Sequence, residues 1–339
     1  MSKMLIKGGL LAAAMSLAAG GVQAQEVWKI QSLWSAGTIN QKVFEKWASD
    51  LTEASDGRLT IEPLPVRSVV AHNETLDAVG AGILQGQHTA PIYFSGRDAA
   101  FAMIGDLNAA YENPYQMEYW FYYRGGLELA REVYAQHNLF FVGPIWWGVE
   151  SIPVNKPVRS LADFEGVKLR MPEGPSHDIF NRIGAAPVNI PGSEVYTSLE
   201  RGVIDGTDWG TISMNQDLGY HGIAQYPIYP GLHSMPTAEI AINMDAWNAL
   251  PDDLKTLVEM SVRAFNADMI GAIAVADIEA VAKAKEEGAT IIEWSAEERK
   301  KLRAIAAEVW KEYASRSELA NKIYESQVAW LKELNLLDQ

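Results

Sequence analysis

Gly166 to Trp209 reads GVKLRMPEGPSHDIFNRIGAAPVNIPGSEVYTSLERGVIDGTDW, a run whose apolar spacing predicts strand, helix, strand, helix, strand. Arg170 falls just after the first strand, and Asp208-Trp209 just after the last. One guanidinium, one carboxylate and one indole are therefore gathered at the carboxyl ends of parallel strands. Ligand crevices in open α/β sheets lie there. The segment predicts a site for a small ligand.

The mature start repeats the layout. VWKIQSLW has strand character, and Ile39, Val43, Phe44, Trp47, Ala48 and Leu51 fall at helical spacing. RLTIEPL alternates as a strand, a helix over about 73–84 follows, and HTAPIYF predicts a third strand. Pro114 to Gln136 forms an aromatic-rich helical stretch leading into the strand FFVGPIWW. After Trp209 the chain returns through IYPGLHSMPTAEIAINMDAWNAL, and Leu254–Glu286, Leu302–Tyr313 and Leu319–Leu336 predict long helices. The expected domains are 25–150, completed by segments after about 245, then 151–244, with 245–339 a helical region packing on both. Chains that cross several times between two α/β halves build a hinge and a closing cleft.

The first 24 residues read as an export signal: Lys3 and Lys7, an apolar stretch from Gly8 to Ala19, and Val22-Gln23-Ala24 before the cut. Its loss takes two lysines and no acids, moving the net charge from −15 to −17. An acidic chain without a basic stripe argues against nucleic acid as a partner. An anionic ligand must then be held by local positive groups against the average field. With no cysteine, an exported protein has no disulfide framework, so a large core must hold it. Roughly 315 mature residues suggest two domains.

No G-x-S-x-G, G-x-x-x-x-G-K-[ST], H-E-x-x-H or cysteine metal motif is present. Arg170 presents a planar fork that matches a carboxylate, or else it is a surface arginine paired with Glu173. Asp208 and Trp209 sit between Gly206 and Gly210. A carboxylate beside an anion site calls for a bound cation or a hydroxylated ligand, unless Asp208 is a solvated turn residue. Trp34, Tyr93, Phe94, Trp146, Trp147 and Trp209 lie at strand ends and could wall a pocket. The other tryptophans, Trp120, Trp247, Trp294, Trp310 and Trp330, read as core or interface. Glu150 is a further polar candidate or a solvated loop residue. His72, His88, His137, His177 and His221 read as structural. His233, in a Pro-Gly-Leu-His-Ser-Met-Pro turn, is aimed well enough to edge a cleft.

SLADFEGVKLRMP, then PGSEVYTSLERGVIDGTDW, resemble the solute-binding subunits of tripartite ATP-independent periplasmic (TRAP) transporters over essentially the whole mature chain. HTAPIYFSGRDAAFAM, YYRGGLELAREVYA and YPGLHSMP look most like the branch that binds α-keto acids. The resemblance implies a two-domain periplasmic binding protein fold of the α/β class, with a hinge, a central cleft and long C-terminal helices. It implies a non-enzymatic protein of the periplasm that delivers a 2-oxo or 2-hydroxy monocarboxylate to a membrane permease driven by an ion gradient. Other readings are a polyol-binding protein and a secreted hydrolase pairing Glu150 with Asp208. In the resemblance Arg170 is the carboxylate-binding arginine and Tyr93 an aromatic pocket position. Asp208, the Trp209 position and Glu150 fall where the branch holds a Na⁺ or Ca²⁺ bridging to the ligand, with no organic cofactor. The branch has Glu where this chain has Asp208, and Gln near Glu150. It also implies a homodimer made by exchanging a C-terminal helix.

Overall fold

The computed structural model describes residues 25–338 except Glu173, Pro191 and Leu232; the expected export signal at 1–24 lies outside the described residues. Among the described residues eight strands form two sheets. In the first, β1 (Glu26–Ser32) pairs in parallel with β2 (Leu59–Leu64) and β3 (Gly86–Thr89). β8 (Thr237–Asn243) then runs antiparallel between β3 and β4 (Leu139–Trp146), giving the order β2-β1-β3-β8-β4. The second sheet is small and wholly parallel: β5 (Lys168–Arg170) lies between β6 (Ala186–Val188) and β7 (Gly206–Thr207). The chain therefore rejoins the first sheet by Thr237, earlier than the boundary near 245 that the sequence suggested.

Local chemistry explains where the elements stop. The expected helix over 73–84 shortens to a 3₁₀ turn at His72–Glu74 and a helix at Thr75–Gly80. HTAPIYF leaves the sheet at Thr89, because Pro91 has no N–H for a ladder and opens a 3₁₀ turn, Pro91–Phe94. The stretch after Asn113 is two helices, Pro114–Tyr123 and Gly126–Ala135. Asn113 caps the first by accepting from Gln116 N, with Pro114 opening the first turn.

One face of the first sheet packs Trp28 and Ile30 against Phe44, Trp47 and Phe265. Three segments join the lobes. Trp147–Ile152 leaves β4; Ile228–Pro236 comes back, bridged to it at Ile152 and Ile228. The third is the helix Asp252–Glu286. Near its middle Asn266 Oδ1 accepts from Trp146 N (3.0 Å), and farther on Asp277 Oδ1 accepts from Ser213 N in the second lobe (3.1 Å). The helix Ala296–Ala314 also ties both lobes. Arg303 Nε donates to Ala109 O and Ala110 O, both at 3.0 Å, and Tyr313 Oη to Asp178 Oδ2 at 3.0 Å. The last helix, Glu318–Glu333, is seated on its own chain, where Gln327 Nε2 donates to Met103 O at 2.6 Å. No helix among the described residues is long and apolar enough to cross a membrane.

At the centre of the first sheet Glu239 is fully buried, and its Oε1 accepts from Gln87 Nε2 at 2.7 Å. Burial pushes its carboxyl well above the usual range. A carboxyl raised in the folded state binds more protons there than in the unfolded chain, so folding loses stability as pH rises above about 4.5. Replacing Glu239 by Gln keeps the shape and removes that loss. Thermal melts from pH 5 to pH 9 should show E239Q gaining on the parent protein as pH rises; parallel curves would contradict a buried neutral carboxyl.

Candidate functional site

Arg170 closes β5, beside the carboxyl ends of β6 and β7. Its Nε donates to Ile190 O at 3.1 Å and its Nη1 to Asp208 O at 2.6 Å. Asp208 N donates in turn to Arg170 O at 2.9 Å, so the guanidinium is strapped to two backbone carbonyls. Among the described residues Arg170 has neither an ion pair nor a hydrogen bond from Nη2. The Trp209 indole lies 5.1 Å from the guanidinium carbon. The sheet forms as the Gly166 segment predicts, and it delivers Arg170, Asp208 and Trp209 to one edge.

The crossing strands supply the rest. Glu150 N donates to Ser234 O at 3.1 Å. A Cβ on Gly231 would stand 1.4 Å from Glu150 O, so no larger residue permits this approach. His233 is held by Ala109 N donating to its carbonyl (2.8 Å) and by edge-on packing against Phe180. Its Nε2 comes within 3.1 Å of Asp208 Oδ1 and 4.0 Å of Glu150 Oε2. All three side chains are buried, at 1 % exposure for His233, 4 % for Asp208 and 7 % for Glu150. Among the described residues neither ring nitrogen of His233 makes a well-directed hydrogen bond, although Nε2 stands 3.1 Å from Asp208 Oδ1.

Burial, and then the charge of Asp208, push Glu150 well above the usual carboxylate range. Burial also works to raise Asp208, but attraction to His233 and then Arg170 more than reverses it, and the net shift is downward. The pair thus splits into a proton-holding Glu150 and an ionised Asp208. Tyr93, in the turn after β3, is 43 % exposed. Burial of its hydroxyl, then the charge of Glu150, raise it to about 12, and Arg170 and Asp208 act on it too.

Trp34 and Trp147 are placed differently. They meet edge to face at 5.1 Å in the first lobe's core, where Trp34 Nε1 donates to His88 Nε2 at 3.1 Å. Burial lowers His88 and His221 to about 4, which suits structural rings. Sequence reasoning missed Asp106, raised to about 7 by burial. It accepts from Ser234 Oγ (2.5 Å) and Met235 N (3.5 Å), locking the returning strand beside His233. Those partners lie 128 and 129 residues away in the chain, so no spacing rule could find them.

Glu150, Asp208 and His233 each offer a donor atom, and the three lie within 4.8 Å of one another. Two carboxylates and an imidazole without partners fit a cation.

Two α/β lobes, three crossings and a buried polar cluster at their junction define a binding protein that closes on a ligand. The model of bacterial extracellular solute-binding proteins, family 7, matches residues 30–317, and the chain belongs to that family. As a member it is an extracytoplasmic solute-binding protein of the periplasm. A monocarboxylate 2-oxoacid-binding periplasmic protein of Nostoc sp. is 28 % identical over 91 % of this chain and 84 % of its own. An apo, open TRAP solute-binding protein from Rhodobacter sphaeroides is 39 % identical, with a TM-score of 0.83 over 93 % of this chain and 100 % of that one. Two others hold pyruvate, each aligned over 92 % of this chain and 95 % of its own. The one from Pseudoalteromonas atlantica also holds sodium (27 %, TM-score 0.77), and the one from Colwellia psychrerythraea calcium (26 %, 0.79).

The Trp209 wall depends on Gly192, where a Cβ would fall 1.9 Å from the indole Cη2. Gly192→Ala should displace the ring and weaken solute binding about tenfold, while the melting temperature moves by only a few degrees, because Trp209 is half-buried. Calorimetry with pyruvate alongside a thermal melt checks this; unchanged affinity would remove Trp209 from the site.

Proposed function

We propose that this protein captures a small 2-oxo or 2-hydroxy monocarboxylate and hands it to a TRAP permease in the membrane. The reading is carried by Arg170. Two backbone carbonyls fix its plane, and among the described residues no carboxylate side chain forms an ion pair with it. Such a fork is pre-organised for a carboxylate, so little ordering is left when the ligand arrives. Trp209 would cover one side of the ligand and the Tyr93 hydroxyl would reach from the other lobe. A cation held by Asp208, Glu150 and the Trp209 backbone would meet the second oxygen function. Trp34 and Trp147 would act from behind, by stiffening the lobe that carries Tyr93.

Closure follows from the same geometry. Tyr93 belongs to the first lobe, Arg170 and Asp208 to the second, and Glu150 and His233 to the segments between them. A ligand touching both lobes favours the closed state by its differential affinity. The permease would then read that closed form. The names of the Nostoc relative and of the two pyruvate-bound structures support this solute class.

Binding without turnover is part of the proposal. Paired glycosidase carboxylates stand about 5–10 Å apart across a substrate bond. The Glu150 and Asp208 oxygens come within 4.8 Å of each other. A homodimer that exchanges Glu318–Glu333 would make the contacts of that helix in the partner's body instead of its own, and native mass spectrometry would show it as a dimer.

Arg170→Ala should weaken pyruvate binding at least tenfold, since a charge-assisted hydrogen bond contributes about 1.5–3 kcal/mol. Calorimetry reads the loss directly, and equal affinity in the two proteins would end the assignment. A thermal-shift comparison of pyruvate, lactate and mannitol separates acids from polyols, because a ligand of the folded state raises the melting temperature. A shift with mannitol alone would transfer the site to a polyol.

A further inference from the structure

Trp209 is bracketed by two tied carbonyls. The one before it, on Asp208, accepts from Arg170 Nη1 at 2.6 Å. The one after it, on Gly210, accepts from Ser151 N at 2.9 Å and from Asn215 Nδ2 at 3.1 Å. The same Asn215 nitrogen also donates to Ser151 O at 3.2 Å. Ser151 directly follows Glu150, whose own N–H is bound to Ser234 O. One side-chain amide thus joins the residue after Trp209 to the residue after Glu150, across the isolated bridge between Ser151 and Gly210.

The surroundings call for an amide at this position. A primary amide nitrogen carries two hydrogens in one plane and no charge, so it can serve two carbonyls at once. Turning the group over would set Oδ1 against two acceptor oxygens, which fixes its orientation. Asn215 is 0 % exposed, so a charged donor there would carry a large desolvation cost. Its backbone is fixed as well. It lies in the helix Ile212–Asp217, capped by the Thr211 side chain, and its N–H donates to Thr211 O at 3.0 Å. A Cβ on Gly210 would stand 3.0 Å from Met214 Sδ, so the strand end and this helix are in close contact.

We propose that Asn215 is a positioning residue of the solute site. Its amide sets the spacing between the crossing strand that carries Glu150 and the strand end that carries Asp208 and Trp209. It acts through backbone alone, since its own side chain has no exposed surface. The inference deepens the proposed solute reading and rests on it.

Asn215→Asp keeps the shape and puts an oxygen where the amide nitrogen stood, and Asn215→Ala removes the group. Asn243→Ala is the control for the loss of a buried asparagine. Asn243 Nδ2 donates to Val79 O at 2.8 Å, and Asn243 pairs with Leu139, at the opposite end of β4 from Trp146. The variants and the parent protein are compared well below their melting temperatures, by calorimetry with pyruvate and by amide hydrogen exchange. Both Asn215 variants should bind pyruvate at least about tenfold more weakly. They should also exchange faster in peptides covering 150–153 and 206–211, which include the Ser151 N–H bound to Gly210 O. Asn243→Ala should match the parent in both readouts even though it melts lower. Should Asn215→Asp fail to fold, Asn215→Ala decides. Parent-like affinity in the Asn215 variants, unchanged exchange in both segments, or an equal affinity loss in Asn243→Ala would each overturn the proposal. The two readings fail separately. Faster exchange in the Asn215 variants, with no pyruvate binding by the parent, would overturn the solute class alone. Pyruvate binding that is kept in full by the Asn215 variants would overturn the positioning role alone.

Discussion

Two carboxylates buried side by side where the lobes meet are the constraint around which the molecule is arranged. A charge moved from water into a protein interior carries a large desolvation cost, and two like charges at such a distance cannot both ionise. The fold answers with asymmetry. Glu150 sits on a crossing strand and keeps its proton, whereas Asp208, at the end of β7, has Arg170 on one side and His233 on the other. An acidic protein thereby presents a local positive edge to a small anion.

That edge is stiff because it is made mostly of backbone. The Arg170 guanidinium is held by carbonyl oxygens of Ile190 and Asp208, and Gly231 lets one crossing strand press against the other at Glu150. The long helix adds a third span. Its Asn266 holds the end of β4, and its Asp277 holds the start of the helix Ile212–Asp217 three turns farther along. Beside these helices the lobes are joined by the short segments Trp147–Ile152 and Ile228–Pro236. These are the same segments that carry Glu150 and His233, so the cluster lies where the lobes join.

Much of this was legible in the chain. The strand-helix alternation of Gly166–Trp209 gave the second sheet, because parallel strands set their last residues together whatever the rest of the chain does. Arg170, Asp208 and Trp209 followed from it. The hinge pairings were less accessible. Asp106 meets Ser234 and Met235, and Glu150 meets Ser234, only because β8 returns to the first sheet, which periodicity does not encode. For the same reason Trp34 and Trp147 looked like pocket walls from their strand-end positions, although their rings pack on each other in the core. Strand ends place backbone, and the neighbouring layer decides which side of it a ring occupies.

The departures from the keto-acid branch belong to one arrangement. The resemblance implies Glu where Asp208 stands, and Gln near Glu150. A glutamate at 208 would carry its oxygens one methylene farther, into the space where His233 Nε2 lies 3.1 Å away. Glu150 adds a second ionisable oxygen donor where an amide would be neutral. The imidazole stands beside both acids, 3.1 Å from Asp208 and 4.0 Å from Glu150. The shorter acid and the second acid thus meet in one cluster with His233.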